Sequence, residues 1–403
     1  MIPKQLQDIL TNLKAQKWIQ ELTKNSEIYI VGGSVRDSFL DKSIKDIDLV
    51  VDGISIKEIQ KLLVPYGKQK LVGESFSVIK FVPTGHIGED YDIAVPRIDK
   101  KISAGHKGFE IITDGVDIHE DLKRRDFTIN SMAVNVITSD LLDPFNGQSD
   151  IKKKLIRATN KTAFIEDALR ILRGIQFAAR FNFDVESQTK KLMKQNSQLI
   201  KEISGERIFD EFQKILLKNG NTQIALTLIY ETDIDKALFD YKLKGGYFEN
   251  FENLDEISFY YILALIGNVD PTHFYMKRLK GESTIGKAIK ILDKLHTKWP
   301  LIENDEEEKT FLVFKSIQQS SLLEFCELKP MGMDKILQEM NAGNIPKHPS
   351  DIPITGNEIM AMADISGPDV GFVIERIQRD ALQNKFNWKN RKDSINYLQK
   401  ILN

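Results

Sequence analysis

Between Ile28 and Val51 the chain places a β-branched and aromatic run, Ile28-Tyr29-Ile30-Val31, then Gly32-Gly33, then Ser34-Val35-Arg36-Asp37, and finally Lys45-Asp46-Ile47-Asp48-Leu49-Val50-Val51. A strand that enters a double-glycine turn and leaves as a short helix presents unpaired backbone N–H groups to an anion, and phosphate is the natural ligand of such a turn. Ser34 is expected to cap that helix and Arg36 to ride on it. In the second segment side chains alternate, so Asp46 and Asp48 share one face of a strand while Ile47, Leu49 and Val51 take the other. Carboxylates whose Cα atoms are roughly 6 to 7 Å apart suit a pair of hard cations about 3.5 to 4 Å apart in an in-line phosphoryl or nucleotidyl displacement. Magnesium is the expected ion, because it takes few carboxylates and completes its shell with water and phosphate. An isolated Asp-x-Asp reads more readily as a solvated edge strand; the glycine turn and arginine directly upstream set this one apart.

At 403 residues the chain exceeds one ordinary core, so two or more domains are expected. A composition of 41% hydrophobic and 28% charged residues is that of a globular chain. No apolar run approaches the roughly 18 residues of a membrane span, so no membrane partner is expected. Leu6, Ile9, Leu10, Leu13 and Trp18 space like an amphipathic helix rather than a signal-peptide core, which points to the cytoplasm. Cys326 is the single cysteine; it excludes a disulfide framework or thiolate metal cluster and reads as a small core residue. With a net charge of −2, overall basicity does not advertise a nucleic-acid partner. Binding would have to be local, at Lys123-Arg124-Arg125, at Lys277-Arg278-Leu279-Lys280, or along Lys385 to Lys392, where Phe386 and Trp388 interleave the cations. Each patch alone reads equally as solvated helix surface, and Glu303 to Glu308 as an exposed helix start.

Strand patterns fall at 28–31, 46–51, 77–82, 90–95 and 109–113, with helical stretches at 35–40, 55–64 and 119–125, which predicts an α/β or α+β head. After the turn-rich Asp143-Pro144-Phe145-Asn146-Gly147-Gln148 the pattern becomes helical: 166–181, 187–200, 206–218 and 222–229, with Asn219-Gly220 as a C-cap signal. Gly343, Pro346, Pro349 and Pro353 mark a further boundary before a helical tail.

Two more clusters carry chemistry. In Arg124-Arg125-Asp126-Phe127-Thr128-Ile129-Asn130 the guanidinium groups suit ribose and triphosphate oxygens and Asn130 a sugar or phosphate, although a surface ion-pair cluster reads equally well. In Glu166-Asp167-Ala168-Leu169-Arg170-Ile171-Leu172-Arg173, a continuous helix would align Asp167, Arg170 and Arg173 in one stripe, with Ala168, Leu172, Ile175 and Ala179 as its buried face. An acid beside a guanidinium can read a base edge. Cytosine and adenine both offer an amino donor beside a ring-nitrogen acceptor, so Asp167 would accept and Arg170 donate, and uracil or guanine would leave both unpaired. The plainer alternative is a helical salt bridge worth a few tenths of a kcal/mol.

Taken in order, Gly-Gly-Ser-Val-Arg-Asp, Asp46-Ile47-Asp48, Arg124 to Asn130, Asp143 to Gln148 and Glu166 to Arg170 resemble the bacterial class II tRNA nucleotidyltransferase family, which comprises CCA-adding enzymes and bacterial poly(A) polymerases. The match covers 28 to about 217 closely and is looser beyond, where it rests on the helical pattern and on Ile354 to Met360. The resemblance implies an α+β fold with a polymerase β-like mixed sheet in a head (1–142), then a helical neck (143–204), body (205–345) and tRNA-binding tail (346–403). It implies that Asp46 and Asp48 hold catalytic magnesium, that Gly33, Arg36 and Arg125 contact nucleotide, that Asp167 with Arg170 selects the base, and that Arg173 meets phosphate. The implied partners are the tRNA 3′ end, CTP and ATP. Gln176 departs from the pattern, standing where many members carry a further arginine; Asp92 is a candidate third acid. Arg97 to Phe109 looks like the loop needed for A addition, and Val72-Gly73 is followed by Glu74-Ser75 instead of the paired basic residues of poly(A) polymerases. These features favour full CCA addition, with A-only addition the runner-up and poly(A) synthesis behind it. A catalytically silent RNA-binding protein on the same scaffold is the alternative from another class. His119-Glu120 and His273-Phe274 offer no His-Asp phosphohydrolase pair.

Overall fold

The computed structural model describes residues 2–44, 46–72, 78–85, 90–101, 109–240, 251–302 and 305–402. Its contacts group the chain into two compact units, Met1–Asn253 and Leu254–Asn403.

In the first unit the strands are β1 (Glu27–Val31), β2 (Ile47–Asp52), β3 (Gly67–Val72), β4 (Val78–Pro83), β5 (Tyr91–Ala94), β6 (Ile98–Lys101), β7 (Phe109–Ile112), β8 (Ala133–Asn135) and β9 (Leu141–Leu142). Seven of them form one sheet in the order β3-β4-β5-β2-β1-β8-β9, antiparallel except for the parallel pair β2 and β5. The mixed sheet of the predicted α+β class is therefore present. The register places Asp48 opposite Asp92, and Asp92 opposite Lys80. These three thus share one sheet face, while Ile47, Tyr91 and Phe81 share the other. Trp18 seals that second face, 5.1 Å from the Phe81 ring and 5.2 Å from that of Tyr91. Farther along β2, Val50 joins Tyr29, Val31, Ile118, Leu122 and Ala133 in a core on the first face. The carboxylate face is thus anchored in apolar packing at one end and open at the other.

The five strands read from the sequence recur within one or two residues. Among those not read, β3 is an exposed edge whose Lys68 and Lys70 protect it from stray pairing and erase the apolar alternation. The β6–β7 hairpin brackets residues 102–108; the A-addition loop reading falls largely on these, and the Gly73-Glu74-Ser75 reading on 73–77, both outside the described residues.

Helical segments complete the unit. The continuous 166–181 helix does not exist: a short helix, Ala163–Glu166, stops at Asp167, which is extended at φ −143° and ψ 107°, and a second runs over Leu169–Phe181. The predicted 187–200 helix likewise ends at Gln195 and continues as a tighter turn, Ser197–Glu202. The Gly205–Leu217 helix closes as expected, with Asn219 left-handed at φ +50° and the Gly220 N–H donating to the Ile215 carbonyl at 2.7 Å.

The second unit contains no strand among its described residues. Cys326 is fully buried there, 3.1 Å from Ser258 Oγ, and burial pushes its thiol up to about 11, so it is an inert core residue as expected. Its last three helices, Gly356–Ala363, Pro368–Leu382 and Arg391–Leu402, close a small core around Ile359, Ile377, Trp388 and Leu398. No helix among the described residues is long and apolar enough to cross a membrane.

Candidate active site

The turn after β1 is built on Gly32, whose φ of +66° and ψ of −120° no side-chain-bearing residue adopts without strain. Gly32 occupies the cap position of the Gly33–Phe39 helix, so Ser34 does not cap it. Instead the Ser34 hydroxyl donates to the Asp46 carbonyl at 2.8 Å and fastens the helix to the start of β2. Above the turn lies Arg125: a Cβ on Gly32 would come within 2.5 Å of its Nη1. Arg125 is aimed by Asp121, fully buried, whose Oδ2 accepts from Nε at 3.2 Å and Nη2 at 3.0 Å, while Oδ1 accepts from Arg124 Nη2 at 2.7 Å.

Asp46 stands exposed one residue before β2, and Asp48 is half-buried within it. Burial raises the Asp48 carboxyl above its usual range, and the neighbouring charges of Asp92 and Asp46 raise it further against Arg125 and Lys80. Lys80 Nζ is 3.4 Å from Asp92 Oδ1, a buried oxygen that accepts no hydrogen bond. The sequence alone offers Asp92 as a candidate third acid and does not single out Lys80. Both are recoverable from alternation, since once β4 and β5 are set beside β2 the side chains of Lys80, Asp92 and Asp48 fall on one face.

The two predicted carboxylates are the wall common to two cavities. One, of about 510 Å³, is lined by Asp46, Asp48, Lys80, Asp90 and Asp92. The other, of about 460 Å³, joins Asp46 and Asp48 to Gly33, Arg36 and Asp37. Oxygen donors crowded on one face, with one carboxyl destabilised as an anion and a neighbouring oxygen unsatisfied, fit a hard divalent cation. Among the described residues no three His, Cys, Asp or Glu side chains are grouped so as to hold a metal ion between them, so an ion here would take fewer protein ligands and complete its shell with water and phosphate.

The remaining predicted residues are arranged differently from the sequence picture. Arg36, only 6% exposed, donates from Nε to Asp37 Oδ1 at 2.8 Å and from Nη1 to Asn130 Oδ1 at 2.6 Å. Asn130 donates in turn to Asp126 Oδ1 at 2.9 Å, and Asp126 Oδ2 accepts from Arg173 Nε at 2.7 Å. Asn130 is therefore a buried bridge from Arg36 to the Asp126–Arg173 pair and not a free ligand for sugar or phosphate. Asp167, Arg170 and Arg173 do not form one helical stripe, because Asp167 lies before the helix and its Oδ1 accepts from the Leu169 N–H at 3.0 Å. Arg170 is buried and donates to Glu166 Oε2 at 3.0 Å and to the Ala163 carbonyl at 3.2 Å; Arg207 Nη2 is 3.8 Å from Asp167 Oδ2. The Asp143 to Gln148 turn is a lock: Asp143 accepts from the N–H groups of Gly147 at 2.6 Å and Gln148 at 2.9 Å.

Comparison with known proteins accords with this geometry. Residues 28–157 match the model described as poly A polymerase head domain, and 182–241 that described as a probable RNA and SrmB-binding site of polymerase A. The CCA-adding enzyme of Lactococcus lactis subsp. lactis (strain IL1403) is 30% identical over 388 residues, covering 92% of both chains. The chain belongs to the CCA-adding enzyme family. Its relatives in that family of nucleotidyltransferases include the CCA-adding enzyme of Streptococcus mutans, 29% identical over 94% of this chain and 93% of that one. The fold is shared with the Thermotoga maritima CCA-adding enzyme complexed with tRNA (TM-score 0.70, 22% identity, 100% of this chain and 97% of that one). It is shared too with the Bacillus stearothermophilus CCA-adding enzyme in complex with CTP (TM-score 0.69, 21% identity, 99% and 98%).

Proposed function

We propose that this member of the CCA-adding family adds CMP, CMP and AMP to the 3′ end of tRNA, without a template, from CTP and ATP. The observation that carries this reading is the Asp46–Asp48 wall between two cavities, one of which opens onto the glycine turn and Arg36. A reaction that joins two substrates needs room on both sides of one acidic centre. The RNA hydroxyl oxygen forms the new bond to the α-phosphorus, the α–β bridge breaks, and pyrophosphate leaves. Asp46 and Asp48, with Asp92 beside them, would hold magnesium, which when bound lowers the pKa of the attacking hydroxyl and steadies the leaving oxygens. Gly33 and Arg36 take the nucleotide at the turn, and Arg125, aimed by Asp121, reaches ribose or phosphate. Asp167 and Arg170 read the base edge, Arg173 supports the phosphates, and the segments 1–142, 143–204, 205–345 and 346–403 serve as head, neck, body and tail. The cytoplasm, where tRNA is processed, is the fitting location.

The test offers tRNA transcripts ending before the first C, after one C and after both, with each labelled triphosphate and magnesium. Sequential C, C and A incorporation is expected. UTP or GTP used at the CTP rate would refute base selection, and A addition confined to the longest transcript would make this an A-only enzyme.

A further inference from the structure

The Leu169–Phe181 helix ends in a cluster of cations that the residues discussed so far do not explain. Phe177 and Phe181 stack with ring centroids 5.8 Å apart and planes 4° apart. Over the Phe181 ring stand three positive groups: Arg36 at 5.0 Å, Lys42 at 4.7 Å and Arg180 at 4.9 Å from its centroid. All three line the cavity that Asp46 and Asp48 also wall, and Lys218, just past the Gly205–Leu217 helix, lines it with them.

Four cations on one small cavity need an explanation. The acid beside them, Asp37, is engaged by Arg36 through Nε and Nη2, both at 2.8 Å. The cluster is electrostatically uncomfortable. Partial desolvation lowers the Lys42 ammonium below its usual value, and Arg180 and Arg36 lower it further against the opposing charge of Asp37; desolvation and Arg36 likewise lower Arg180, again against Asp37. Structural lysines and arginines normally find acids, as Arg124, Arg125 and Arg173 do here. Cations held together on an aromatic platform and facing a cavity are what a compact polyanion requires.

The geometry points to Lys42, Arg180 and Lys218, together with Arg36, as a clamp for the β- and γ-phosphates of the incoming nucleotide, retaining the same two phosphates as pyrophosphate after transfer. The assignment rests on the nucleotidyl-transfer reading for its substrate, because Asp46 and Asp48 on the same wall fix where the α-phosphate must sit. Phe181 acts as a positioning residue, holding three cation stems at a spacing they would not keep alone. Lys42 lies in the turn after the Gly33–Phe39 helix, so the clamp spans from the glycine turn to the ends of two distant helices.

The experiment compares the whole protein with Lys42→Gln, Arg180→Gln and the double variant. Lys42 is exposed as a residue and only its ammonium is partly desolvated at the cavity, so its single substitution is expected to leave the fold intact. Arg180→Lys, which keeps charge but not the planar fork, supplies the conservative control. Equilibrium binding of inorganic tripolyphosphate without added metal is expected to weaken about tenfold per lost cation. The KM for CTP and ATP and the inhibition constant of pyrophosphate should rise in parallel, with the KM for tRNA unchanged. Unchanged tripolyphosphate binding in the double variant would overturn the clamp. So would a rise confined to the KM for tRNA, which would assign these cations to the RNA backbone. Because tripolyphosphate binding needs no turnover, the clamp can stand or fall separately from CCA addition itself.

Discussion

Arg173 places Nε and Nη2 each 2.7 Å from one oxygen of Asp126, while the other oxygen accepts from Asn130 Nδ2 at 2.9 Å and from the Phe127 N–H at 2.8 Å. A carboxylate with both oxygens satisfied in the interior joins the Leu169–Phe181 helix to the sheet-bearing part of its unit and, through Asn130, to Arg36. Removing that charge leaves Arg173 without its partner. Asp126→Asn is expected to cost about 3 kcal/mol, as for breaking a buried pair, seen as a lower urea midpoint. It should also weaken nucleotide binding, because Arg36 loses its second-hand support. An unchanged midpoint would show that the network carries no stability.

The acid response follows from the same groups. Burial alone would raise Asp126 and Asp121, but Arg173 with Asn130 holds the first below its usual range, and Arg125 with Arg124 the second. A carboxyl depressed on folding contributes stability that is complete above the unfolded value of about 4 and is lost as pH falls through the lower folded value. Urea midpoints should therefore hold level from neutrality down to about pH 4 and then fall. Asp126→Asn should show a shallower fall, and a parallel one would refute the assignment.

Asp48 has the opposite sign. Its folded carboxyl is raised by burial and by Asp92 and Asp46, so as an anion it opposes folding at neutral pH. Asp48→Asn should leave the protein as stable or more so while lowering nucleotide transfer by about a thousandfold, the several kcal/mol that metal-held charge contributes. Chelation should reproduce the loss, and added magnesium should raise Tm in the parent protein more than in the variant. A variant that transfers at the parental rate would remove these acids from the chemistry.

Local pattern made the glycine turn, the two acids and most helices legible, since each depends on neighbours in sequence. Sequence alone points to Ser34 as the cap because hydroxyl capping is the usual outcome, whereas Gly32's positive-φ backbone takes the cap position and frees Ser34 to reach Asp46. The helix break at Asp167 was invisible because the apolar spacing runs on through it, and only the Asp167 carboxylate accepting from Leu169 marks the restart. The Asn130 bridge, the alignment of Lys80 with Asp92 and the cations around Phe181 all come from pairings distant in sequence. No window of one chain displays them.

Base selection can be separated from folding at Asp167. Its Oδ1 accepts from the Leu169 N–H at the start of the Leu169–Phe181 helix, while Arg170 is held by Glu166 and the Ala163 carbonyl. Asp167→Ala should cost about 1 kcal/mol of stability through the lost hydrogen bond to the Leu169 N–H. On the proposed reading it should also lower the preference for CTP over UTP by about a hundredfold or more, because the cytosine amino group would lose its acceptor. Competing kcat/KM values for CTP and UTP measure this. A stability loss with selectivity intact would reduce Asp167 to a local backbone contact.

Gly32→Ala tests whether the turn and Arg125 act together. At φ +66° and ψ −120° an alanine is strained by about 1 to 3 kcal/mol, and its Cβ would lie 2.5 Å from Arg125 Nη1. The guanidinium can swing away, but then its bonds to Asp121 at 3.0 and 3.2 Å must loosen. The single variant should therefore lose both stability and kcat/KM for nucleotide. Trimming Arg125 to alanine removes the clash but not the backbone strain, so the double variant should recover part of the stability and none of the activity. A double-mutant cycle by urea unfolding reads the coupling. Strict additivity would mean that Arg125 does not sit over Gly32 in solution.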